Sequence, residues 1–350
     1  MLQLAHYSFS LPFEYPFTIA KGTKTHQPAL VVSLGLRHWR GFGEAPAINY
    51  YNVTVEQMQE QLQAKKGLIE RYALTDPQRF WHFLHHLLPG QNFLIAALDM
   101  AGWDLFAQMR NMPLRQLLGI RLNATPLTDY TIGVDTAEQM QAHVQAHPWP
   151  LYKVKMRSSD DVGKLRALRE ITDKPFRVDA NEALTFEEAK LLLPELQALG
   201  VQLLEQPLPR GAWEEMKALK VISPIPLFAD ESCVEEKDVA ACAEAFDGIN
   251  IKLTKCGGIT PALRMIAEAR TLGLKVMIGS MNESTIGTAA MVHLSPLADE
   301  LDADGPLLLC EDVAEGLVYD QGYVRSRQAA GLGIRFWGEQ RARNYFEQNT

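Results

Sequence analysis

Two lysines and three acids, Lys155, Asp179, Glu205, Asp230 and Lys252, stand at the ends of successive apolar runs. The runs cover 152–156, 176–179, 201–205, 225–230 and 248–252, and their charged ends recur about every 25 residues. That interval holds a strand, a helix and two loops, so each run reads as one βα unit. Charged ends of consecutive parallel strands converge on one mouth. Three carboxylates without His or Cys suit a hard cation, Mg²⁺ first, with Mn²⁺ or Ca²⁺ behind it. The two lysines, three strands of acids apart, would approach a bound substrate from opposite faces. A cation beside a developing enolate, with one base on each face, suits removal of a proton α to a carboxylate and its return on the other side.

Strand alternation extends the candidates. Lys153 shares the face of Lys155, and repulsion between two ammonium groups eases loss of a proton from one. Read alone, Lys153-Val154-Lys155 is also compatible with a solvated surface strand, and each acid with a helix cap. Asn181 follows Asp179 at same-face spacing and could orient a ligand or contact substrate, whereas Glu231 faces away or supports its neighbour. Asp302 and Asp304 share a face at the last run and could seat a cation such as a substrate ammonium. A turn acid pair before Gly305-Pro306 is the alternative. His82, His85 and His86 lack an HExxH pattern and read as a solvated helix face. Gly257-Gly258 reads as a turn opening the next helix, whose amides could meet an anion. Cys256 beside it could be reactive by position.

The elements that must position these groups divide the chain. Residues 29–36 read as a strand, Gly41 to Pro46 as the turn and edge of another, and Thr54 as a helix start. A helix over 95–109 carries small residues (Ala96, Ala97, Ala101, Gly102), which predicts close packing against another layer. From 128 the pattern alternates: strands at 128–133, the five runs, 275–280 and 300–304, with helices between them such as 159–171 and 185–199. Eight strands favour a barrel, with an open doubly wound sheet as the alternative left by periodicity.

The 350 residues, 47% hydrophobic and 22% charged, describe an ordinary globular chain. A net charge of −8 disfavours nucleic acid or anionic lipid as partner. No apolar stretch approaches the roughly 18 residues of a membrane span. Met1 to Tyr7 lacks a signal-peptide pattern, so the expectation is a cytoplasmic protein. The four cysteines, without CxxC spacing, are expected as reduced thiols.

Lys153-Val154-Lys155, Asp179-Ala180-Asn181, Glu205-Gln206-Pro207, Asp230-Glu231-Ser232 and Lys252-Leu253-Thr254-Lys255-Cys256-Gly257-Gly258 together resemble the muconate lactonising enzyme-like branch of the enolase superfamily. The resemblance spans nearly the whole chain, including Gly43-Glu44 and Ala97-Leu98-Asp99. It implies an α+β capping domain (1–125), a (β/α)₇β barrel (126–320) and a C-terminal segment (321–350) that returns to the cap. It implies Asp179, Glu205 and Asp230 as Mg²⁺ ligands and Lys155 with Lys252 as the acid/base pair. Asp302-Ala303-Asp304 resembles the Asp-x-Asp motif of the dipeptide epimerase family, which binds the α-ammonium of a dipeptide. By the same resemblance Lys153, Asn181, Thr131, Ser280 and Met281 join the substrate contacts. Cap loops at Phe17 to Lys24 and Ala47 to Tyr51 would set specificity. Members acting on Ala-Glu carry arginine where Gly22 aligns, so a small or apolar second residue is expected; Lys21 or Lys24 would instead favour an acidic one. N-acylamino acid racemase, o-succinylbenzoate synthase, cycloisomerase and a non-catalytic binding protein are the alternatives. A homo-oligomer is expected.

Overall fold

The computed structural model describes residues 1–121 and 124–339. It opens with an antiparallel sheet, β1 (Gln3–Ile19), β2 (Gly22–Leu36) and β3 (Trp39–Pro46), in that spatial order. The sheet is larger than the sequence suggested. Phe17 to Lys24, expected as a loop, is the tip of a β-hairpin in which Phe17 pairs with Lys24 and Ile19 with Gly22. Gly41 and Gly43, expected near a turn, lie inside β3, and the turn falls at Arg37, whose φ is 56°.

Helices α1 (Val55–Arg71), α2 (Pro77–Leu87) and α3 (Asn92–Met109) cover one face of this sheet. Thr54 caps α1 in a reciprocal capping box with Gln57. The small-residue face of α3 has its expected use. A Cβ on Gly41 would sit 2.2 Å from the carbonyl oxygen of Ala101, and one on Gly43 2.0 Å from that of Ala97. Backbone meets backbone there, so Gly43→Ala should lower the unfolding free energy by about 1–3 kcal/mol or more, as for other overpacked sites. Urea denaturation measures it; an unchanged midpoint would mean that the sheet and α3 separate easily.

Eight parallel strands follow: β4 (Tyr130–Ile132), β5 (Tyr152–Lys155), β6 (Phe176–Asp179), β7 (Val201–Glu205), β8 (Leu227–Ala229), β9 (Gly248–Ile251), β10 (Lys275–Gly279) and β11 (Glu300–Asp302). A parallel bridge between Thr128 and Leu301 joins the last strand to the first, so the sheet closes as a barrel. Alternation sorts its side chains. Val154, Val178, Leu204, Ile249 and Val276 point outward into the main core, while Leu203, Phe228 and Met277 form a separate small cluster inside the barrel. Above that plug the inward positions carry charge. Among the described residues, no helix is long and apolar enough to cross a membrane.

Cap and barrel are joined by carboxylates at helix starts. Asp99 of α3 accepts from the backbone N (2.9 Å) and Oγ1 (2.8 Å) of Thr260, in the first turn of the helix Ile259–Thr271. This carboxylate is the anion met after Gly258, where a Cβ would lie 2.4 Å from Asp99 Oδ2. Glu44 of β3 likewise accepts from Ser284 N (2.9 Å), Ser284 Oγ (2.6 Å) and Gly287 N (3.0 Å) at the start of Thr285–Leu294. Burial raises both acids to about 7, against the pull of these hydrogen bonds. Farther on, Phe336 packs against Tyr7, Phe9 and Phe42 of the cap sheet, and Glu339 bonds Tyr7. The rest of the expected C-terminal segment, 340–350, lies outside the described residues.

Candidate active site

Register places the first three charged ends at one level. Lys155 pairs with Asp179 across β5 and β6, and Asp179 with Glu205 across β6 and β7. Asp230 follows the end of β8 and Lys252 the end of β9. All five are buried. Asp179, Glu205 and Asp230 each offer an oxygen within 4.8 Å of the others, a spacing one cation can span. An all-oxygen, three-carboxylate set fits a hard divalent ion.

Cations of the chain itself balance these acids. Lys155 Nζ donates to Asp179 Oδ2 at 2.6 Å, and Lys252 Nζ to Asp230 Oδ2 at 2.7 Å. Lys255 Nζ takes the other oxygen of Asp230, Oδ1, at 2.5 Å. Burial opposes ionisation of Asp230, but Lys252 and Lys255 outweigh it and hold the carboxyl well below its usual range. Burial likewise opposes charge on Lys252, and Asp230 outweighs it, keeping the ammonium well above its usual range. Glu205 has the weaker support. Asn250 Nδ2 donates to its Oε1 at 2.8 Å, Lys153 stands 2.8 Å from Oε2, and burial with nearby Asp179 raises its pKa.

Lys153 lies beneath the pocket, not in its wall. Its ammonium touches Asp302 Oδ2 (2.8 Å), Glu205 Oε2 (2.8 Å) and Asp179 Oδ2 (3.4 Å), which tie the acid triad to the last strand. Asp302 is thereby held below its usual range despite its burial, chiefly by Lys153. Asp304 is the opposite case. Burial first, then Asp302 and Asp129, push it well above the carboxylate range, although Thr131 N donates to it at 2.6 Å. Such an acid lacks a counter-charge, and a ligand cation would supply one.

One cavity gathers most of the expected residues. Lys155, Lys252, Asn181, Asp302 and Asp304 line it, as do Thr131, Ser280, Met281 and Lys24. The cap contributes Phe17, Ile19, Ile48 and Tyr50 to its roof. Gly22 lies at the hairpin tip in a neighbouring cleft, outside the cavity. The expected loop was a hairpin, and its register turns Lys24 inward. Burial, then Lys155, lower the Lys24 ammonium to about 8; it donates to Gln27 Oε1 at 2.7 Å. Lys21 pairs with Glu182 at 2.6 Å, also outside the cavity.

The family models agree with this architecture. Residues 135–340 match the enolase C-terminal domain-like model, and 5–119 the mandelate racemase/muconate lactonizing enzyme N-terminal domain. An L-Ala-D/L-amino acid epimerase from Flavobacterium johnsoniae is 41% identical over 93% of this chain and 97% of its own. The chain belongs to the dipeptide epimerase family of the enolase superfamily. A second member of that family, an L-Ala-D/L-amino acid epimerase from Maribacter, is 40% identical over 95% of this chain and 99% of its own. Among solved structures, the dipeptide epimerase from Methylococcus capsulatus complexed with Mg and L-Arg-D-Lys superposes with a TM-score of 0.89. It is 32% identical and is covered over 99% of its length by 96% of this chain.

Within this family member, several supporting residues escaped the sequence reading. Asn250 precedes Lys252 by two, the same parity that linked Lys153 to Lys155, so alternation could have found it. Lys255 sat unassigned in a quoted motif. Gln206 had no periodic signal: its backbone is left-handed (φ 36°) and its Oε1 accepts from Asp230 N (3.1 Å) and Ser232 N (3.0 Å). Glu231 supports, as expected, accepting from Asn181 Nδ2 at 3.2 Å. Cys256 is not reactive: it is buried, burial pushes its thiol up to about 12, and it faces the carbonyls of Leu253 and Gly258. His82, His85 and His86 are exposed, with His85 stacked on Trp81.

Proposed function

We propose that the protein is a Mg²⁺-dependent dipeptide epimerase that inverts the α-carbon of the second residue, with alanine first and a small or apolar residue second. One observation carries this reading. Lys153 bridges the acid triad to Asp302, and Asp302 and Asp304 line one cavity together with Lys155 and Lys252, the lysines paired to the triad's outer members. A substrate with a carboxylate at one end and a free ammonium at the other matches that polarity. An N-acylamino acid would leave Asp304 without a counter-charge.

Asp179, Glu205 and Asp230 would hold Mg²⁺, which when bound supplies positive charge beside the substrate carboxylate and so stabilises its enolate form. The chain's own residues do the rest. With Asp179 and Asp230 holding that ion, Lys155 and Lys252 would no longer be tied to them. Each can then take or return the α-proton from its own side. The cap residues Phe17, Ile19, Ile48 and Tyr50 exclude water above them.

The apolar roof supports a small or apolar second side chain, and the names of the two relatives, both L-Ala-D/L-amino acid epimerases, support alanine first. Lys24 in the cavity wall favours a second reading, an acidic side chain. A dipeptide library incubated with enzyme and Mg²⁺ in D₂O decides both. A gain of one mass unit at the second residue of Ala-Xaa is expected, and the ranking of Ala-Val against Ala-Glu separates the two. Turnover of N-acylamino acids with no exchange in any dipeptide would sink the proposal.

Metal binding has its own test. At about 100 times its dissociation constant, Mg²⁺ should stabilise the protein by about 2.7 kcal/mol. Glu205→Gln removes the central ligand and should abolish that gain in thermal melts. Equal gains in both proteins would place the ion elsewhere.

A further inference from the structure

The barrel is joined least firmly where it closes. Every other neighbouring pair of barrel strands shares a ladder of at least two residue pairs. Strands β11 and β4 meet only through the Thr128–Leu301 bridge. Side chains take over at this seam. Thr128 Oγ1 accepts from Ala303 N at 2.8 Å, and Asp304 Oδ2 accepts from Thr131 N at 2.6 Å. Below them Arg177 reaches inward from β6. It donates to Asp129 Oδ2 and to the carbonyl oxygen of Leu301, both at 2.7 Å, and pairs with Glu300. Asp129 precedes β4, while Glu300 and Leu301 belong to β11, so one guanidinium grips both sides of the seam.

Arg177 is only 2% exposed. A buried cation is costly unless its partners are fixed, so the guanidinium and its acceptors define one another's positions. The planar fork, with several donors, suits this task as a single ammonium would not. Asp302 lies between the two anchored residues, Leu301 and Ala303. Asp129 also offers an oxygen within 4.8 Å of those of Asp302 and Asp304, so it stands directly under the seat.

We infer that Arg177, acting through Asp129, is a positioning residue for recognition of the substrate ammonium: it fixes the seam that carries Asp302 and Asp304. The inference rests on reading that pair as the ammonium seat. Asp129 neutralises Arg177 in place. Without it, the guanidinium would keep only Glu300 and the Leu301 carbonyl and would compete with the substrate's own cation for Asp302.

Asp129→Asn keeps the shape and removes the charge. We expect KM for a free-amino dipeptide to rise at least tenfold, with kcat within about threefold of the parent. The N-acetyl analogue, used as substrate or inhibitor, should bind both proteins equally well. Arg177→Lys should fall between the parent and Arg177→Met in KM for the dipeptide. If the arginine variants fail to fold, Asp129→Asn still decides. An unchanged KM, or equal weakening of the dipeptide and its N-acetyl analogue, would overturn the inference and leave the proposed function standing. Failure of the parent protein to discriminate between the two ligands would remove the ammonium seat itself, and this inference with it.

Discussion

Lys252→Ala should destroy epimerisation yet leave a protein that still exchanges the α-proton of one substrate epimer. Lys155→Ala should do the same for the other epimer. Loss of a positioned base typically costs about 10²–10⁴ in rate, and here it is complete for one stereochemical direction. The surrounding geometry makes the experiment clean. Without Lys252, Asp230 keeps Lys255 on its Oδ1 at 2.5 Å; without Lys155, Asp179 keeps Lys153 at 3.4 Å. Both variants should therefore retain Mg²⁺ binding, which calorimetry can check. The readout is deuterium incorporation from D₂O, followed separately for the two diastereomers of one dipeptide. Exchange of both diastereomers by both variants would refute a two-base mechanism.

Asp302→Asn should raise KM for free-amino dipeptides by about 30- to 4,000-fold, the range for truncating one partner of a buried charge pair at about 2–5 kcal/mol. The loss falls on binding because, in the proposed function, Asp302 meets the substrate ammonium and not the reacting carbon. Its link to Lys153 at 2.8 Å adds a smaller effect on kcat, since Lys153 also touches Glu205 and Asp179. Steady-state kinetics on a dipeptide and its N-acetyl analogue separate the contributions. A fall in kcat with KM unchanged would assign Asp302 to the chemistry instead.

The charged ladder was legible because parallel strands convert sequence interval into angular position around a barrel. Alternation then sorts each strand's residues by face, which sets Lys153, Lys155 and Asn181 on the inner side. The cap was harder to read. Strand β1 contains Pro12 and Pro16, which interrupt its alternation and accompany a register shift between Pro12 and Phe17. Such prolines are tolerated because β1 is an edge strand, laddered to β2 and otherwise joined through a single bridge from Phe13 to Leu309. Missing that strand turned a hairpin tip into a loop and drew attention to Gly22 when Lys24 is the residue that faces the cavity. Gln206 and Lys255 act on Asp230 through contacts that no periodicity encodes.

Asp99 and Glu44 have a consequence for how the chain is made. Each is translated long before the helix whose first amides it caps: Thr260 lies 161 positions after Asp99, and Ser284 240 positions after Glu44. During synthesis these carboxylates can stay hydrated and charged, a natural brake on premature burial of the cap's inner surface. The late helices therefore complete the early half of the molecule as well as their own. A ribosome halted before residue 259 would display a cap whose Asp99 and Glu44 carboxylates have no helix start to accept from.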